Sequence, residues 1–128
     1  MRLNVEMKVR IIRGVTLAVT ALLMVVACGD AHAHAKLDHA QPGSGETVDT
    51  APQEVTLSFT EKLEPAFSTV SVTDAAGKRV DDGNPHVSGN QMSVALRPGG
   101  KGTYHVDWRV LSVDTHRTNG SFSFQVGR

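Results

Sequence analysis

Asp114 and His116 stand two residues apart in SVDTHRTNG, residues 112–120. In an extended segment residues i and i+2 project from the same face, so a carboxylate and an imidazole at this spacing can converge on one point. Alone, D-x-H is a weak motif. A surface Asp and His near a turn, with the carboxylate accepting backbone N–H bonds, produce the same string. The pair gains chemical weight only if a third donor lies beside it.

The third donor is sought among the other histidines, His32, His34, His39, His86 and His105. The chain opens with Arg2, Lys8, Arg10 and Arg13, followed by the uncharged apolar run GVTLAVTALLMVVA, which is too short to span a bilayer comfortably. This pattern predicts a secretory signal peptide over residues 1–33. Ala31-His32-Ala33 fits the small-x-small rule for cleavage, which makes His34 the new first residue. A competing reading takes VVAC, residues 25–28, as a lipobox and anchors the protein by a lipid on Cys28.

An N-terminal histidine offers its α-amino nitrogen and its ring Nδ1 to one ion, closing a chelate ring. The amino group loses its proton to a metal at modest cost near neutral pH. With the carboxylate of Asp114 and the imidazole of His116, His34 completes a set of three nitrogens and one oxygen. That set suits tetragonal Cu(II), which also heads the divalent affinity order; Ni(II) could use similar donors, and Zn(II) would prefer a tetrahedral rearrangement.

Without residues 1–33 the chain keeps nine Lys and Arg against eleven Asp and Glu, a net charge of −2. It has no basic stripe of the kind that grips nucleic acid. The single cysteine lies in the leader, so the remaining domain has no disulfide and no thiolate ligand. Its stability must come from its core.

The elements expected to carry the site are strands. Val55, Leu57 and Phe59 alternate with polar residues, as do Val70 and Val72, then Met92, Val94 and Leu96, then Tyr104, Val106, Trp108 and Val110, and last Phe122, Phe124 and Val126. His105, Asp107 and Arg109 take the opposite, wet face of their strand, Asp107 and Arg109 as a surface ion pair. QPGSGE, DAAGK, DDGNP, RPGGKG and TNG supply the turns. Adding a first strand at 34–39 and a short one near 84–88 gives about seven strands. The economical arrangement is a small antiparallel, immunoglobulin-like Greek-key β-sandwich over 34–128. FTEKLEPAF has room for a turn of helix, with Pro65 ending any longer one.

HAKLDHAQP (34–42), LSFTEKLEP (57–65) and above all GTYHVDWRVLSVDTHRTNGSFSFQV (102–126) resemble the CopC family of bacterial periplasmic copper-binding proteins. The resemblance covers nearly the whole chain after residue 33. It implies a Greek-key barrel or sandwich in the periplasm, with one Cu(II) held by the amino group and ring of His34, by Asp114 and by His116. A family acidic residue near the metal matches Glu61, as ligand, outer partner or neighbour, and His39 is a further near-site candidate. The family also implies a CopD-type inner-membrane copper transporter as partner.

Some members carry a Met-rich Cu(I) loop; here the corresponding stretch holds Met92 alone, so the chain resembles the Cu(II)-only type. Two other functions compete with a copper carrier or buffer. One is a metal-free or lipid-anchored interaction module, which becomes the better reading if cleavage precedes Cys28. The other is a histidine-brace copper monooxygenase, which an in-plane Asp114 disfavours.

Overall fold

The computed structural model describes residues 34–127. The expected signal peptide, its expected cleavage point and Cys28 lie outside the described residues. The strands are β1 Leu37–Gln41, β2 Thr47–Val48, β3 Glu54–Phe59, β4 Thr69–Thr73, β5 Asp81–Ser88, β6 Gln91–Leu96, β7 Gly102–Leu111 and β8 Arg117–Val126; β3, β4, β6, β7 and β8 form where alternation expects them, and β1 covers 37–41 in place of the expected 34–39. One sheet has the order β1-β3-β6-β5 and the other β2-β8-β7-β4.

Among the described residues eight strands replace the expected seven, and the sheets are not wholly antiparallel. The extra strand, β2, pairs in parallel with β8 through Thr47↔Gln125 and Val48↔Val126. The short strand expected at 84–88 runs over 81–88, with a register shift between Asp82 and His86. The single helical turn expected in FTEKLEPAF is a 3₁₀ piece at Pro65–Phe67, and Pro65 opens it. Proline suits a first helical position because its missing N–H would have no partner there.

The apolar faces meet as their spacing requires. Val55, Leu57, Phe59, Met92 and Val94 face Val70, Val72, Tyr104, Val106, Trp108, Val110, Phe124 and Val126, and all of them are buried. Each such side chain stabilises the fold by about 1.5–3 kcal/mol before entropy is counted. Phe59 meets Trp108 edge-to-face with ring centroids 5.1 Å apart, and Tyr104 stacks on Phe124 at 5.2 Å. Tyr104 also donates its hydroxyl to the Gly100 carbonyl at 2.7 Å, so its polar tip is satisfied inside. Gly120 faces Trp108 across the β7–β8 ladder; a Cβ there would come within 2.6 Å of the indole, so only glycine leaves the ring its place.

On the wet side His105, Asp107 and Arg109 are exposed as expected. Asp107 and Arg109 form no ion pair among the described residues; His105 Nδ1 instead lies 2.7 Å from the Ser123 hydroxyl. The strongest surface pair is elsewhere. Arg79 grips Asp81 with two bonds of 2.7 Å, and Asp81 also accepts the Val72 N–H at 2.9 Å, closing the edge of β4.

The Arg79 hydrogen bond holds the Asp81 carboxyl below the usual carboxylate range. A depressed folded value gives stability that is complete above the unfolded pKa of about 3.9 and lost as pH falls through the folded value. Asp81→Asn is therefore expected to lower unfolding stability at pH 7 by about 1–2 kcal/mol, toward the low end for a charged hydrogen bond because Arg79 is well exposed. Urea titrations should show the deficit shrinking below pH 4. A deficit independent of pH would contradict this.

Candidate metal centre

The site lies where the β7–β8 hairpin turns. The two strands pair without interruption from Gly102↔Val126 to Leu111↔Arg117, which makes a stiff arm for the loop at its tip. That loop holds Asp114 and His116, and it is a turn, not the extended segment expected from the sequence. The Thr115 N–H bonds the Ser112 carbonyl at 2.9 Å, the Ser112 N–H bonds the His116 carbonyl at 3.0 Å, and Thr115 has φ +71°. This resembles a three-residue hairpin loop, a β-turn followed by one left-handed residue. The i and i+2 side chains still converge, but through the turn and not through the pleat.

Two further bonds tie the loop to the segment that follows β3. They form an antiparallel bridge between Leu63 and Ser112: the Glu64 N–H donates to the Leu111 carbonyl at 2.8 Å, and the Val113 N–H to the Lys62 carbonyl at 3.0 Å. The segment carrying His34 arrives at the same end. Thr60 fixes it from one side, with its N–H on the Lys36 carbonyl at 2.9 Å and its hydroxyl accepting the Lys36 N–H at 2.9 Å. Thr118 fixes it from the other, its hydroxyl donating to the Ala35 carbonyl at 2.7 Å. Ala35 itself is wholly buried. His34 thus leaves the core from an anchored neighbour.

The outcome is a contact between residues 82 positions apart in sequence. The His34 and His116 rings meet edge-on, with centroids 4.5 Å apart and planes at 76°. Asp114 Oδ2 lies 3.3 Å from His116 Nδ1, and the two side chains are 43% and 33% exposed, so the cluster is open to solvent on one side. The Asp114 carboxyl sits below its usual range, chiefly because the Ser112 hydroxyl bonds it and secondarily because of His116. An ionised carboxylate beside two imidazoles is an oxygen-and-nitrogen donor set of the kind divalent copper accepts. Among the described residues no three His, Cys, Asp or Glu side chains close on one point tightly enough to hold an ion by side chains alone.

The other candidates stand apart. Glu61 is half-buried in a shallow cleft of about 440 Å³ with Thr60, Lys62, Asn90 and Val113, beside the loop. His39 lies on β1 opposite Ser58, with its ring 3.1 Å from Asp38. Met92 is completely buried between the sheets. Residues not singled out as carrying the site are Thr60, Thr118 and Ser112. A serine two positions ahead of an aspartate in a turn-rich string was the available signal for the last, since such hydroxyls bond local turn groups.

Comparison with known proteins bears on the same residues. The CopC domain model matches residues 37–127, which include Asp114 and His116 and begin three residues after His34. Protein YobA of Escherichia coli (strain K12) is 38% identical over 98 residues, 73% of this chain and 79% of that protein. Copper resistance protein C of Xanthomonas campestris pv. juglandis is 36% identical over 123 residues, 89% of this chain and 96% of the relative. The crystal structure of CopC from Methylosinus trichosporium OB3b superposes with a TM-score of 0.68 at 31% identity, covering 73% of this chain and 93% of that one. The chain belongs to the CopC family.

Proposed function

We propose that this protein is a periplasmic copper carrier or buffer that holds one Cu(II) per chain through the His34 amine and ring, Asp114 and His116. The observation that carries the reading is the meeting of the His34 and His116 rings at 4.5 Å, with Asp114 3.3 Å from His116, at an exposed end of a rigid sandwich. A one-sided, solvent-open donor set favours an ion that is passed on over one that is locked in. The name of the Xanthomonas relative, a copper resistance protein, points the same way.

Cu(II) rather than Cu(I) is supported by the thioether inventory. Met92 is the one methionine after residue 33, and its full burial removes it from any ligand set. Glu61 and His39 have outer roles at most in this reading. A CopD-type inner-membrane transporter is the partner the family suggests, with the ion handed over at the open end. No step of chemistry on a substrate is needed, so the protein is a carrier and not an enzyme.

Protein beginning at His34 is expected to bind Cu(II) one-to-one, and Trp108, the chain's only tryptophan, gives a fluorescence readout. Nitrogen donors must be deprotonated to bind, so the ion should be released as pH falls. Chelator competition on the double variant H34A/H116A decides the site. Tight Cu(II) binding that survives the loss of both rings would overturn it.

A further inference from the structure

We infer that Ser112 is the residue that positions Asp114 toward the ion, by deciding which carboxylate oxygen is free to meet it. The inference rests on the Cu(II) reading above and concerns the geometry of that site. Ser112 has no exposed surface, whereas Asp114 beside it is open. A buried hydroxyl must find partners, and all of those of Ser112 lie in the loop. It donates to Asp114 Oδ1 and accepts the His116 N–H at 3.3 Å, with the His116 carbonyl a second acceptor at 3.2 Å.

One side chain therefore touches both loop donors. With Oδ1 held by Ser112, Oδ2 is the oxygen turned to the His116 ring, 3.3 Å from its Nδ1. A carboxylate fixed in this way offers one oxygen to an ion and not two. Three nitrogens and one such oxygen make a four-coordinate tetragonal set, the geometry Cu(II) prefers. A carboxylate free to turn could chelate with both oxygens and raise the coordination number, which relaxes the preference for Cu(II).

The backbone supports the same view. Thr115 is β-branched and left-handed at φ +71°, a conformation normally left to Gly or Asn. Such strain persists only where neighbouring contacts over-determine it, and the Ser112 bonds to both sides of Thr115 do so. The loop is thus set before an ion arrives.

The test compares Ser112→Ala with wild type, both beginning at His34, by chelator competition and by EPR of the one-to-one Cu(II) complex. The variant is expected to lose about 10- to 100-fold in Cu(II) affinity, as for loss of a partner that orients a ligand, and to shift g∥ and A∥ as the carboxylate is released. Equal affinity with a superimposable spectrum would overturn the inference. Should Ser112→Ala fail to fold, the isosteric pair Ser112→Thr and Ser112→Val takes its place, differing only in the hydroxyl. Threonine is expected to keep the wild-type spectrum and valine to lose it, and identical spectra for the two would overturn the inference. Wild type that binds no Cu(II) defeats the reading of the site itself; wild type that binds beside an unchanged variant defeats only the role of Ser112.

Discussion

Acetylating the α-amino group of protein that begins at His34 is expected to weaken Cu(II) binding about 10²- to 10⁴-fold. The reason is the chelate. Once the His34 ring has bound, the amine of the same residue binds as an intramolecular ligand at high effective concentration, and a second linked contact of this kind adds that range to affinity. Blocking the amine leaves two imidazoles and one carboxylate. The core is untouched by the change, because the anchoring bonds run through Lys36 and the Ala35 carbonyl. Competition titration of blocked against free protein measures the loss, and unchanged affinity would mean that the amine is no ligand.

Phe59→Ala should have the largest effect on the fold. Phe59 is 1% exposed, meets Trp108 edge-to-face, and makes two bonds with Asn90, accepting the side-chain amide on its carbonyl at 2.8 Å and donating its N–H to the Asn90 carbonyl at 2.9 Å. Truncating a buried phenylalanine costs about 3–5 kcal/mol through lost burial and the cavity left behind. A domain of this size shifts its melting temperature by about 4–8 °C per kcal/mol, so a fall of roughly 12 °C or more is expected by calorimetry. Thr60, the next residue, fixes the segment that carries His34. Cu(II) affinity measured below the new transition should therefore fall less than stability does, since the polar anchors remain. A shift of only a few degrees would contradict the packing described.

The strand faces were legible in the sequence because burial follows a period of two, and the inward residues from Val55 to Val126 read directly. The pairing of strands was less so. β2 has two residues, too few for any periodicity, and its parallel partner lies some 78 positions away. That Asp114 and His116 converge was legible, but the shape of their loop was not. Thr115 stands where a left-handed residue is needed, and a β-branched side chain hides that need from a sequence pattern built on Gly and Asn. The anchors of His34 were invisible for another reason: the Thr118 bond to Ala35 joins residues 83 apart, and only the closed sandwich brings them together.

The same limit applies to Asp107 and Arg109. Their alternation correctly placed both on the wet face, yet residues two apart on a strand are about 6–7 Å apart along it, and neither side chain reaches the other here. Spacing gives a face; contact needs geometry as well.

In the exported protein a terminus at His34 is expected to join Asp114 and His116 around one Cu(II). EPR of the one-to-one complex, formed on protein purified after export, tests it most directly. A tetragonal Cu(II) signal coupled to three nitrogens is expected, falling to two when His116 is replaced by alanine. A signal with two or fewer nitrogens in the exported wild type, or one unchanged by His116→Ala, would contradict it.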